Sequence, residues 1–193
     1  MELQTRPLTI EEFMQRFSDE GPFEYIDGEF VPMSPQVAGS SDCAGLLYHS
    51  IQIVILPRKQ GKAFIETTFV LTLDNPDWVR GSRVPDVMYY RAERFEPFAA
   101  EHPDWRTRPI PLVPDFAAEV VSPSDKFSDV IDKVQRYLED GVQLVWVLDP
   151  QQKSIIVYRA GSNQSTTYAG EDTVSAADVI PGFELKLSDL YAD

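Results

Sequence analysis

DFAAEVVSPSDKFSDVIDKVQRYLEDGVQLVWVLDP, residues 115–150, is the stretch whose reading decides the fold. "DFAAEVV" is an apolar run that reads as a buried strand. "SPSD" turns the chain and caps a helix. In "KFSDVIDKVQRYLEDG" the residues Phe127, Val130, Ile131, Val134 and Leu138 recur at helical spacing, which predicts an amphipathic helix stopped by Gly141. "VQLVWVLDP" is a second buried strand, with Trp146 in the core. Strand, helix, strand is the join of a sheet that carries a helix on its face. Within the first strand stands Glu119, and a buried carboxylate is costly unless it is paired or bound to a metal.

Upstream, "LTIEEFMQRF" predicts a helix capped by Thr9, with Ile10, Phe13, Met14 and Phe17 as its apolar stripe. "FEYIDGEFVPMSP" predicts a hairpin that turns at Asp27-Gly28. A second helix, capped by Ser40 or Ser41, runs to about Leu56 and is ended by Pro57. "KAFIETTFVLTL" reads as one long strand, "DNPDWVRGSR" as a loop, and "VPDVMYY" as a strand entered through a proline. The proline-rich residues up to "IPLVP" read as a long excursion. "SIIVYRA" and "STTYA" form a closing hairpin, and "VIPGFELKLSDLY" a tail that packs back on the body. The core order is helix-strand-strand-strand-helix-strand, an α+β fold with a mixed sheet and added N-terminal helix, hairpin and C-terminal hairpin. No repeat or linker interrupts residues 1–193, so one domain is expected.

Hydrophobic residues make up 43% and charged residues 25%, the balance of a globular protein. No segment has the apolar length of a membrane span, and "MELQTRPLTIEEF" lacks the order of a signal peptide. The one cysteine, Cys43, forms no internal disulfide, reads as a small core residue, and suits a reducing cytoplasm. With 17 Lys+Arg against 31 Asp+Glu the formal charge is −14, which opposes tight non-specific binding to nucleic acid. A local basic rim remains open: Arg80, Arg83, Arg91 and Arg94 gather around one expected strand, Arg106 and Arg108 follow, and Arg58, Lys59 and Lys62 form another group.

Asp86 in "VPDVMYY" and Glu119 in "AAEVV" carry the chemistry. If their strands are neighbours, both carboxylates project from one face and repel unless one is protonated or a cation sits between them. A hard divalent ion such as Mg²⁺ takes oxygen ligands and keeps several waters. It lowers the pKa of a bound water and stabilises charge developing on a phosphodiester.

Pro85-Asp86 followed by Glu119 on the next core strand resembles the PD-(D/E)xK nuclease superfamily. The ordered blocks "FEYIDGEFVPMSP", "VPDVMYY", "AAEVVSPSD", "KVQRYLEDGVQLVWVLDP" and "DVIPGFELKLSDLY" resemble the Uma-two family of restriction-endonuclease-like proteins, from Leu8 to Leu190. The resemblance implies a restriction-endonuclease-like fold, Mg²⁺-dependent hydrolysis of DNA (with Mn²⁺ as a substitute ion), and a homodimer. It implies Asp86 and Glu119 as metal ligands, with the backbone carbonyl of Val120 as a third. Glu24 matches the acid of the first block and is a candidate additional ligand. Family members carry a histidine early in the second helix; Asp42 stands near that place here, and His49 lies about two turns further on.

In that superfamily a lysine stands two residues after the second acid, where this chain has Val121. At about 100° per residue, Lys126, Lys133 and Tyr137 share one flank of the helix after Glu119. From the "SPSD" turn the helix covers about 13 Å to Lys133, comparable with the distance back along the strand to Glu119. Lys133 also matches the lysine of "KVQRY". The expected catalytic set is therefore Asp86, Glu119 and Lys133. The competing expectation is a catalytically inactive nuclease-fold protein that binds a nucleic acid or protein partner.

Overall fold

The computed structural model describes residues 8–75, 77–123 and 125–191. The first seven residues of the segment compared with a signal peptide, Pro76 of the expected loop and Ser124 of the "SPSD" turn lie outside the described residues.

A short strand β1 (Leu8–Thr9) leads into α1 (Ile10–Glu20). Thr9 Oγ1 accepts from the Glu12 N–H at 3.2 Å while Glu12 accepts from the Thr9 N–H at 3.0 Å. This reciprocal cap satisfies donors the helix cannot pair itself. β2 (Phe23–Ile26) and β3 (Glu29–Pro32) form the expected hairpin. Asp27 and Gly28 both adopt positive φ, +50° and +88°, as a tight two-residue turn requires.

α2 covers Ala38–Arg58, longer than expected at both ends. Val37 precedes it without a side-chain cap, and Pro57 lies in its last turn rather than beyond it. A proline there removes one N–H, and the chain leaves the helix at Lys59, whose left-handed backbone donates to Ile55 and Leu56 carbonyls. The expected long strand is two strands, β4 (Gly61–Ile65) and β5 (Phe69–Thr72), which join different sheets. The break follows Glu66, held at φ +45°. The expected loop contains β6 (Trp78–Arg83), which pairs with β5 and β1 in a three-stranded sheet.

β7 (Val87–Arg91) leads to α3 (Ala92–Glu101) and a 3₁₀ turn at Trp105–Thr107, so the proline-rich excursion is partly helical. β8 (Phe116–Val120), α4 (Phe127–Asp140) and β9 (Leu144–Asp149) follow as expected. α4 starts after Lys126 without a side-chain cap, because Asp125 accepts from the Ser122 N–H instead. β10 (Ser154–Arg159) and β11 (Thr166–Ala169) make the closing hairpin. β12 (Thr173–Ser175), β13 (Glu184–Lys186) and α5 (Leu187–Leu190) form the tail.

The main sheet has the order β11-β10-β9-β8-β7-β4. Its pairs are antiparallel except β8–β9, which run parallel across α4. α2 and the tail cover one face, around Leu47, Ile51, Phe116, Trp146 and Phe183. α3 and α4 cover the other, around Met88, Ala117, Val134, Tyr137 and Val145. Alternation along β8 sends Phe116 and Ala118 to the first face and Ala117 to the second. Glu119 therefore points towards α4.

Candidate active site

β7 and β8 pair with Val87 opposite Ala118, so continuing that register by one residue sets Asp86 opposite Glu119. Asp86 Oδ2 accepts the Val120 N–H at 2.6 Å, and Oδ1 accepts from Gln36 Nε2 at 2.7 Å. Lys133 Nζ stands 3.1 Å from Glu119 Oε2, and the Tyr137 hydroxyl donates to Oε1. Glu24, on the hairpin, accepts the Val84 N–H at 3.0 Å and is itself buried. Its charge acts on Glu119, Lys133 and Tyr137.

Burial dominates the electrostatics. Desolvation lifts Glu119 from an ordinary 4.5 to about 7, although Lys133 and the Tyr137 hydroxyl pull the other way. Asp86 is also raised by burial, against the opposing bonds from Val120 and Gln36. Lys133 is raised by Glu119 more than burial lowers it, so it stays a cation. Two buried acids held above their usual range form a site whose ionised state needs added positive charge.

A cleft of about 260 Å³ opens over these groups. Glu24, Asp86, Glu119, Asp125, Asp129 and Lys133 contribute its charged lining, and Met33–Val37 forms its outer wall. Among the described residues no three His, Cys, Asp or Glu side chains stand close enough to hold a metal ion. The donors nevertheless suit a hard divalent ion, which binds through one or two carboxylates and retains waters. Both acids offer oxygen, and neither nitrogen nor sulfur ligands intrude.

Of the other sequence candidates, Asp42 is exposed on α2 and does not line the cleft, and His49 is likewise exposed on α2. Val121 is partly buried against the α4-side core. Lys126 is exposed just before α4. Phe127, expected in the buried stripe, is 66% exposed as the first residue of α4, whereas Tyr137, expected on the flank of the stripe, is fully buried. The arginines form no single basic rim. Arg83 pairs with Asp140 at 3.1 Å, Arg94 with Asp115 at 2.9 Å, and Arg91 donates to the Asp178 and Val179 carbonyls. Trp105 packs on Phe64 and Phe95, covering the sheet. Cys43 is buried and its thiol is pushed up to about 12 by that burial. Gln36 had no signal in the sequence beyond its place after "MSP".

This six-stranded mixed sheet with helices on both faces is a restriction-endonuclease-like fold. A crystal structure of a putative nuclease belonging to DUF820 from Anabaena variabilis matches it with a TM-score of 0.75 at 22% sequence identity, covering 96% of this chain and 98% of that one. Residues 10–188 match the Uma2 family, described as "Putative restriction endonuclease", and the chain belongs to that family. No functionally curated protein shows significant similarity to it.

Proposed function

We propose that the chain is an endonuclease that hydrolyses phosphodiester bonds of DNA with Mg²⁺ or Mn²⁺ held by Asp86 and Glu119. One observation carries the reading: Lys133 Nζ lies 3.1 Å from Glu119, across the sheet from Asp86. The ion, when bound, supplies an acidified water and charge stabilisation at the phosphate. The Val120 N–H fixes one oxygen of Asp86, and Gln36 orients the other. Tyr137 fixes Glu119 from within the core, which leaves the carboxylate little freedom. Lys133, as a cation at the cleft wall, positions the attacking water and offsets negative charge that develops on the phosphoryl oxygens. The Val120 carbonyl is the third protein ligand, and Glu24 tunes the field from the hairpin.

The proposal includes one domain acting in the cytoplasm as a homodimer, since cutting both strands of a duplex generally takes two sites. Among the described residues no helix is long and apolar enough to cross a membrane. A second reading, a non-cutting protein that binds a partner, is favoured by the −14 charge, which opposes polyanion binding. Incubation of supercoiled plasmid with Mn²⁺ separates them, with Asp86→Asn as control. Nicking by the wild type alone supports the enzyme, and an inert wild type supports the partner-binding reading.

A further inference from the structure

α2 buries one face and leaves three large apolar side chains exposed on the opposite one. Ala44, Leu47, Ile51 and Ile55 enter the core. At about 100° per residue, Asp42, Leu46, His49, Ile53 and Leu56 line up on the far side. Leu46, Ile53 and Leu56 are 38%, 61% and 62% exposed. They are three of the eight large hydrophobic side chains exposed among the described residues, so the exposure is concentrated rather than scattered. With Asp42 and His49 they complete a row, 42, 46, 49, 53 and 56, whose alternating spacing of four and three residues is that of a helix–helix seam.

We propose that this face binds the same face of a second copy, with the two α2 helices antiparallel about a two-fold axis opposite Ile51. The proposal rests on the homodimer reading and names its surface. That axis sets Leu46 against Leu56 and His49 against Ile53. It brings Asp42, exposed in the second turn of one helix, to Gln60 and the exposed Lys59 just beyond the end of the other. Ile53 then packs on His49 beside the axis and Leu46 on Leu56 outside it, with opposite charges at both ends. Each helix N-terminus also lies beside its partner's C-terminus, the favourable dipole arrangement. A parallel pairing would set Asp42 against Asp42 and Lys59 against Lys59, which charge disfavours. An isologous contact needs such self-complementarity, because each residue must find its counterpart twice.

Light scattering on the full chain at micromolar concentration tests this. The wild type is expected to be dimeric. Ile53→Glu is expected to weaken the dimer about 100-fold by placing a carboxylate at the seam twice. Its melting temperature at concentrations where the wild type is monomeric should be unchanged, since Ile53 is exposed in the single chain. Asp42→Lys should weaken the dimer, and adding Lys59→Glu should restore it. A dimer that survives Ile53→Glu overturns the α2 surface while leaving the homodimer reading intact. Failure of the charge reversal to restore overturns the antiparallel order. A monomeric wild type overturns both.

Discussion

Lys133 and Glu119, fourteen positions apart in the chain, meet at 3.1 Å because α4 folds back over the strand that carries the acid. A helical lysine thereby stands beside the carboxylate where a strand residue, Val121, offers only packing. The next turn of the helix delivers Tyr137 to the other carboxylate oxygen.

Metal binding is expected to stabilise the fold through the two acids. A ligand bound only by the native state contributes about 2.7 kcal/mol at a hundredfold excess over Kd, which in a chain of this size raises Tm by roughly 5–10 °C. Differential scanning calorimetry with Mg²⁺ or Mn²⁺ should show this for the wild type and lose it in Asp86→Asn and Glu119→Gln. Equal shifts in all three proteins would place the ion elsewhere.

Stability without metal should fall as pH rises. Glu119 is raised from 4.5 to about 7, so between those values the folded state holds more protons than the unfolded one. The stability associated with the protonated acid is complete below the unfolded value and is lost through pH 7, and Asp86, also raised, adds the same sign. In EDTA, Tm should decline between about pH 5 and 8, and Glu119→Gln should flatten the decline. A wild-type Tm that rises over that window would contradict the burial argument.

The sequence could bring the two acids and the lysine together on paper because Glu119 and Lys133 sit in regular elements, β8 and α4, and Asp86 stands one residue before β7. Strand alternation puts Glu119 on the α4 side, the paired register sets Asp86 across from it, and helical spacing brings Lys133 above. β6 escaped because "WVRGSR" has no alternation. It becomes a strand by pairing with β5 and β1, and at Gly81 a Cβ would press within 3.3 Å of the Tyr25 carbonyl and Leu71. The split between β4 and β5 was hidden by continuous strand-forming residues, since nothing in a glutamate announces the positive φ of Glu66. Pro97 masked α3. Gln36 was invisible for another reason: it reaches Asp86 across 50 positions from a segment without periodicity.

Tyr137→Phe keeps the buried ring and deletes one donor to Glu119. The cost should be about 1.5–3 kcal/mol when Glu119 is ionised and smaller when it is protonated, because a bond to a charged acceptor is the stronger one. Urea unfolding in EDTA at pH 8 and pH 5 measures the difference. Equal losses at both pH values would show that the hydroxyl does not act through the carboxylate.

Gln36→Ala removes a donor that favours ionised Asp86. The acidic limb of any cleavage profile should move to higher pH, with global stability changed by no more than about 0.5 kcal/mol, as for other solvent-facing positions. An unmoved limb would leave Gln36 as a wall of the cleft and nothing more.

The central claim is that Lys133 completes a cutting site on Asp86 and Glu119, and the rate of supercoiled-plasmid nicking in Mn²⁺ tests it most directly. Wild type, Lys133→Ala and Lys126→Ala are compared at one enzyme concentration, with Mn²⁺ binding measured alongside. The wild type should nick, Lys126→Ala should keep a rate within about twofold, and Lys133→Ala should lose roughly 100-fold or more with metal binding kept. Full activity in Lys133→Ala, or a loss confined to Lys126→Ala, would contradict it.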